Sequence, residues 1–447
     1  MRFLFLNAML LRLFLLLNFF RCISQNTNLA DEAHIILNKK CISCHHQAGY
    51  APFSLEKPED FRKRKQFVGY VIQNKLMPPW KADVHYRDFA NNKSLSETEI
   101  KKVTQWLDLN CPDWSEKSPA IKYVGSSQLI SKPNLILKMK NAFIIPPINQ
   151  NVYICYKIPF EIKRDTFISA IEFVPGNKSA VHHVSYQILE VDDDVDVHTG
   201  PEYFLYDADT LNRVNDEHDY KYFNLIGKSG KFPRDTYHGG WLPGTSVQKY
   251  PSSIGIRLPK KGVLLIRNLH YSPVIKEESD QSGFNIYYAK KKPTRAIGFA
   301  AFKPKNPTPD GEWMIKANDS AFAAHINVKF HNDVSLLNIN PHMHRLGKRF
   351  VAYAVTPSSD TIPLVKINDW DFNWQEFYRF KRMIKIPAGS IIRADAVYDN
   401  STQNENNPYN PPRDIKFEWG MNDDSEMMRL VFLYLPYQPG DENISLE

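Results

Sequence analysis

Val152-Tyr153-Ile154-Cys155-Tyr156-Lys157-Ile158 is the stretch that decides the fold of most of the chain. Apolar and polar side chains alternate along it, as they do where successive residues point to opposite faces of a strand. The same period runs through Leu135-Ile136-Leu137-Lys138-Met139-Lys140, and strand-like runs bounded by Pro, Gly and Asn then continue nearly to Glu447. Short strands with regular turn signals predict β-sandwich or jelly-roll structure. The span from Asn134 onward is too long for one sandwich and predicts two, over 134–290 and 291–447.

Upstream the pattern changes. Residues 113–133, with Ser-Glu-Lys-Ser-Pro and Gly-Ser-Ser-Gln, read as a linker. Before it, Ala33, Ile35, Ile36 and Leu37 give Asp31–Lys40 a helical face running into Cys41-Ile42-Ser43-Cys44-His45. Cys-x-x-Cys-His is the attachment pattern of a c-type haem, in which two thiols bond the macrocycle and the histidine turns onto the iron. A thioredoxin-like redox pair would need a βαβ surround that is missing, and a zinc half-site has no second cysteine pair to complete it. Lys75-Leu76-Met77-Pro78-Pro79-Trp80 offers Met77 as the sixth iron ligand in a stiff proline turn. The alternative is that Met77 caps the helix before it, with His46 and His85 as fallback ligands. Ser96, followed by Glu97 and Glu99, opens a helix to about Leu109 whose Ile100, Val103, Trp106, Leu107 and Leu109 would pack on the haem pocket. Helix, haem loop, methionine loop and helix resemble a small class I cytochrome c domain over 28–112. The fold class expected is therefore multidomain, a small all-α cytochrome c domain followed by two all-β jelly-roll sandwich domains.

Composition agrees with an ordinary globular chain, at 43% hydrophobic and 23% charged residues. The net charge of +7 is spread without long runs of one sign, which argues against nucleic acid as a partner. Residues 1–24 differ: an apolar run from Phe3 to Phe20 ends near Cys22-Ile23-Ser24, as a secretory signal does. An uncleaved anchor would place Arg12 near mid-span at a cost of about 2.5–3.5 kcal/mol. No other stretch is apolar enough to span a membrane, so the expected location is the periplasm or outside the cell. The five cysteines are too few for a disulfide framework.

Histidines cluster in the β region as Val181-His182-His183-Val184, Leu269-His270-Tyr271 and Asn340-Pro341-His342-Met343-His344-Arg345-Leu346-Gly347-Lys348. A His-x-His pair on a strand sets two imidazoles on one face, half of a metal site. Taken alone, such a pair is more simply read as solvated or core histidines. Adjacent His182 and His183 point apart on a regular strand, so sharing a metal requires one to bind through Nδ1 and the other through Nε2, or a bulge. Glu426-Met427-Met428 precedes the apolar strand Leu430–Leu435. Two imidazoles and a thioether form a soft set that favours copper, although Met427 and Met428 also suit a core.

The ordered set His-His, His-Tyr, His-x-His-x-Leu-Gly-Lys and Glu-Met-Met resembles the copper type II, ascorbate-dependent monooxygenases over about Ser131 to Tyr437. That resemblance implies two jelly-roll domains with one copper ion each. His182, His183 and His270 look like ligands of the electron-transfer copper, and His342, His344 and Met427 like ligands of the copper that binds oxygen. Peptide-hydroxylating members hold the substrate carboxylate with an arginine and a tyrosine at positions where Asn340 and Val431 stand, so a C-terminal peptide is not the substrate expected. The fused cytochrome, with Met-Pro-Pro-Trp, resembles that of bacterial relatives.

The functional expectation is an exported, copper-dependent monooxygenase that hydroxylates a C–H bond of a small organic substrate with dioxygen. Its cofactors would be two copper ions and one covalently bound haem c held by Cys41, Cys44, His45 and Met77, with ascorbate or another redox donor upstream. A non-catalytic haem and copper electron-transfer or copper-carrying protein uses the same ligands, and a zinc hydrolase is disfavoured by the thioether.

Overall fold

Val152–Glu161 is a strand, yet its burial does not alternate: Ile154, Cys155, Tyr156, Lys157 and Ile158 are all buried. One face lies in a sandwich and the other is covered by the excursion after Leu189, where Cys155 packs with Val191, Val195, Tyr206 and Phe223. Covering both faces turns a half-wet strand into a fully buried one. Lys157 tolerates this because its Nζ donates to Thr199 O at 2.5 Å and Phe223 O at 3.2 Å.

The structure is a computed structural model that describes residues 28–47, 49–115, 132–206, 216–245, 247–305, 313–417 and 425–447. The expected signal segment at 1–24 lies outside the described residues, as does most of the expected linker. The chain divides into two compact units, Met1–Trp80 with Lys93–Gly125 and Lys81–Asn92 with Ser126–Glu447.

In the second unit, one five-stranded antiparallel sheet runs in the order Tyr203–Leu205, Val152–Glu161, Lys261–Tyr271, Val181–Glu190, Arg234–Trp241. A second five-stranded sheet carries Thr166–Val174 and Gly283–Tyr288, and the two sheets meet through Tyr186 against Phe284 at 4.7 Å and Trp241 against Phe173 at 5.2 Å. Further on, Gly298–Phe302, Met428–Pro436, Val334–Met343 and Tyr378–Ile386 form a four-stranded sheet, and Phe322–Lys329, Ile391–Tyr398, Gly347–Val355 and Thr361–Ile367 another. Aliphatic side chains fill this part: Leu336, Leu337, Ile339, Ala352, Ala354 and Leu433 are each at most 1% exposed.

The first unit corrects the expected fold class. Among the described residues the structure is mostly β-sheet, 39% strand against 13% helix, with β-sandwich-like sheets and no sizeable all-α cytochrome c domain. The sequence explains why the helices stay short. Beyond the helix over residues 28–40, Pro58–Arg62 and Lys65–Gln73 span 5 and 9 residues, and the second ends before Lys75 at φ 57° and the Pro78-Pro79 pair. Residues 81–92 then leave to join the β unit. Glu97–Asp108 is comparable in length to the helix over residues 28–40; its Ser96 N-cap and Glu99 form the capping box, and Val103, Trp106 and Leu107 are buried. Leu109, expected to pack inward, is 48% exposed because it stands at the C-cap, past the buried face.

Candidate functional site

Val181–Glu190 and Lys261–Tyr271 are neighbours in one sheet, with His183 paired to His270. The register shifts between Val181 and His183, so an extra residue is accommodated at His182. That bulge turns two adjacent side chains toward one point. The three Nδ1 atoms converge: His182 to His183 at 3.2 Å, His182 to His270 at 3.1 Å and His270 to His183 at 3.2 Å. All three residues use Nδ1, not a mixture of ring nitrogens. Three nitrogens this close cannot all carry protons, and their lone pairs repel unless a cation sits among them. Burial keeps the rings neutral, pushing His183 down to about 3 and lowering His182 and His270 as well, with neighbouring imidazoles acting in the same direction on His183 and His270. The Tyr153 ring stacks on His270 with centroids 4.4 Å apart.

The second group forms where Val334–Met343 lies beside Met428–Pro436, with His342 opposite Arg429 and Met343 opposite Met428. Met427, one residue before that strand, therefore comes to His342, whose Nε2 is 3.1 Å from Met427 Sδ. His344 stands 5.1 Å from His342 between ring centroids, with the planes at 89°. The other nitrogens are tied off. His344 Nδ1 donates to Ser425 O at 2.8 Å, and His342 Nδ1 donates to Gln375 Oε1. The Gln375 amide is oriented by its own Nε2, which donates to Phe372 O at 2.8 Å. Both imidazoles thus carry their proton on Nδ1 and present an Nε2 lone pair, as metal-ligating histidines do. Burial, with His344 next, drives His342 well below the ordinary histidine range.

The surrounding chain fixes this group. Tyr398 OH donates to Met427 O at 2.8 Å and Trp370 Nε1 donates to His344 O at 3.1 Å. Glu426, the one carboxylate that could have completed a zinc set, accepts from the backbone N–H groups of His344 at 3.0 Å and Leu346 at 2.6 Å. It braces the turn that carries the histidines. Met428 is 1% exposed and serves the core.

In the first unit, His45 N donates to Cys41 O at 3.0 Å, closing the Cys-x-x-Cys-His turn, and both cysteines are free thiols. His45 Nδ1 lies 3.1 Å from Phe53 O, which as a carbonyl can only accept, so the Nε2 lone pair is available. Burial pushes the Cys41 thiol up to about 12. Met77 is 39% exposed. His85, a fallback ligand, lies in the segment that belongs to the β unit. Sequence reading missed Gln375, Tyr398 and the bracing role of Glu426. Only the aromatic-rich run Trp370–Tyr378 hinted that a loop there packs on something.

Residues 302–410 match the family model of the copper type II ascorbate-dependent monooxygenase C-terminal domain. The matched span contains His342, His344, Gln375 and Tyr398. No curated protein matches the chain. Among solved structures, that of infectious bursal disease virus Gx strain is similar at 7% identity over 70% of this chain and 74% of that chain, with a TM-score of 0.18. The structure of PNGF-II is similar at 8% identity over 70% and 62%, with a TM-score of 0.20, and neither likeness carries an argument.

Proposed function

We propose that the chain is a copper-dependent monooxygenase that inserts one oxygen atom of dioxygen into a C–H bond of a small organic substrate. The observation that carries this reading is the pairing of a family-matched segment, which holds His342 and His344, with a His342, His344 and Met427 group whose two imidazoles both present Nε2. His342, His344 and Met427 would hold one copper ion and His182, His183 and His270 a second, while Cys41, Cys44 and His45 would bind a haem c with Met77 as its sixth ligand. Bound copper supplies one-electron redox chemistry and dioxygen activation, and the haem supplies one-electron transfer.

Hydroxylation of R–H by dioxygen needs two electrons and two protons and yields R–OH and water. The chain's part in this is to hold geometry. Gln375 and Ser425 keep His342 and His344 in the tautomer that leaves Nε2 free. Tyr398 fixes the Met427 backbone, and Glu426 holds the turn that starts at His344. His344 and Met427 are 7% and 6% exposed, which limits water at their side of the group, while His342 is half-buried. Separation into two groups lets each store a single electron. An ascorbate-like reductant or the haem would refill them, and the exported location expected from residues 1–24 suits both.

Met427→Ala in the full-length, copper-loaded chain should end dioxygen consumption while the protein still binds copper at the three-histidine group. Metal analysis of the wild type should give about two coppers and one haem iron per chain. A single zinc with no copper would overturn the reading, and unchanged dioxygen consumption by Met427→Ala would overturn the assignment of the oxygen-binding end. The non-catalytic alternative predicts metal binding and haem redox change with no hydroxylated product.

A further inference from the structure

The segment Lys81–Asn92 takes no part in the chemistry above, although it belongs to the same unit as both histidine groups. Ala82 bridges Ile367, on the edge strand of one four-stranded sheet, and Phe89 bridges Phe380, on the edge strand of the other. Residues 368–377 form the connection between those two edge strands. The segment clips that connection at both ends. Lys81 Nζ is 3.1 Å from Asp369 and 3.6 Å from Asp371, and Asn368 Nδ2 donates to Asp83 Oδ2 at 3.2 Å. At the far end Asn91 Nδ2 donates to Phe377 O at 2.9 Å and Glu376 Oε1 at 3.3 Å, while its Oδ1 accepts from Arg379 N at 2.9 Å.

What the connection carries makes this more than edge protection. Gln375 fixes the His342 tautomer, Trp370 holds the His344 carbonyl, and the Phe372 ring lies 5.9 Å from that of His344. Phe377 sits so close to Gly240, in the sheet of the three-histidine group, that a Cβ there would fall 2.4 Å from its ring. One stretch of ten residues therefore touches the surroundings of both groups, and its own turn bonds are few.

We propose that Lys81 and Asn91 are positioning residues for the His342 and His344 group, acting through residues 368–377: Asn91 sets the carbonyls and side chains around Gln375, and Lys81 sets Asp369 and Asp371 on either side of Trp370. The inference rests on the copper reading for its functional meaning, but its geometry is testable without metal. Asn340 completes the grip by donating Nδ2 to Glu376 O at 3.0 Å, so the residue standing where family members bind a peptide carboxylate holds this same loop.

The test uses full-length Asn91→Ala, Lys81→Met and Lys81→Arg. In metal-free protein, nitrogen-15 NMR of histidine rings should show His342 as the Nδ1–H tautomer in the wild type and in Lys81→Arg, and a tautomer mixture in Asn91→Ala. Copper(II) titration followed by electron paramagnetic resonance should show Asn91→Ala weakening the His342 group about 10-fold to 100-fold, the usual cost of losing an outer partner. Lys81→Met should change the copper signature of that same His342 group, and Lys81→Arg should restore it. A wild-type tautomer pattern in Asn91→Ala together with unchanged copper signatures in Lys81→Met would overturn the inference. Failure of the wild type to bind copper, with the tautomer shift still present, would overturn the copper reading and leave the positioning role standing.

Discussion

The two histidine groups of the β unit solve one problem in opposite ways. At His182, His183 and His270 the ligand atoms are aimed by strand register alone: a bulge and a cross-strand pair bring three Nδ1 atoms within 3.2 Å of each other. At His342, His344 and Met427 the aim comes from outside, from Gln375, Ser425 O and Tyr398, with only one of the residues inside a long strand. The first arrangement is a closed triangle of equal donors. The second has two hard-fixed imidazoles and a soft thioether, with more of its geometry entrusted to a loop. A group that only stores an electron gains from a rigid, symmetric set, whereas a group that must admit a substrate needs a position its own backbone does not fill.

Substitutions can separate the two. The largest effect is expected for His270→Ala against Met427→Ala. Each should remove one copper of two by metal analysis, but only Met427→Ala should leave single-electron storage intact while product formation falls about 100-fold or more. If both abolish storage equally, the division of labour fails. Next in size is Gln375→Ala, which should cost about 10-fold to 100-fold in copper affinity at the His342 group and nothing at the other, read by competitive chelator titration. At the register-built triangle the aim comes from the strands, with Tyr153 stacked on His270. Tyr398→Phe removes one buried hydrogen bond to Met427 O and should lower stability by about 1 kcal/mol, seen as a modest drop in the urea midpoint.

The smallest effect concerns the far end of the strand that carries His182. Glu190 is held down to about 2 by Arg257, with Arg234 adding to it. A folded value below the unfolded one means stabilisation present above the unfolded pKa and lost as pH falls toward 2. Because the arginines are partly exposed, Glu190→Gln should cost under about 1 kcal/mol at neutral pH. The difference from wild type should shrink between pH 4.5 and 2, and copper binding at either group should not change.

Much of the β unit was legible in the sequence because a period of two survives wherever one face is buried. It failed as a guide to burial at Cys155 and Lys157, where a later excursion of the chain covers the outer face. The histidines were legible as residue types, but how His182 and His183 share a point depends on a bulge that no spacing rule dictates. Gln375 and Tyr398 were not legible, since glutamine and tyrosine carry no signal until the fold places them against His342 and Met427. The helical expectation at the front overreached for a different reason. Local propensity reads Asp31–Lys40 and Ser96–Leu109 correctly as helices, but it cannot see that residues 81–92 leave to pair with strands nearly three hundred positions away.

The decisive experiment supplies dioxygen labelled with oxygen-18 to the reduced, copper-loaded full-length chain with a library of small organic compounds. The wild type should form a product heavier by one labelled oxygen, and Met427→Ala should not. Copper and haem that cycle between redox states with no labelled product from any compound would contradict the monooxygenase reading and favour an electron-transfer protein.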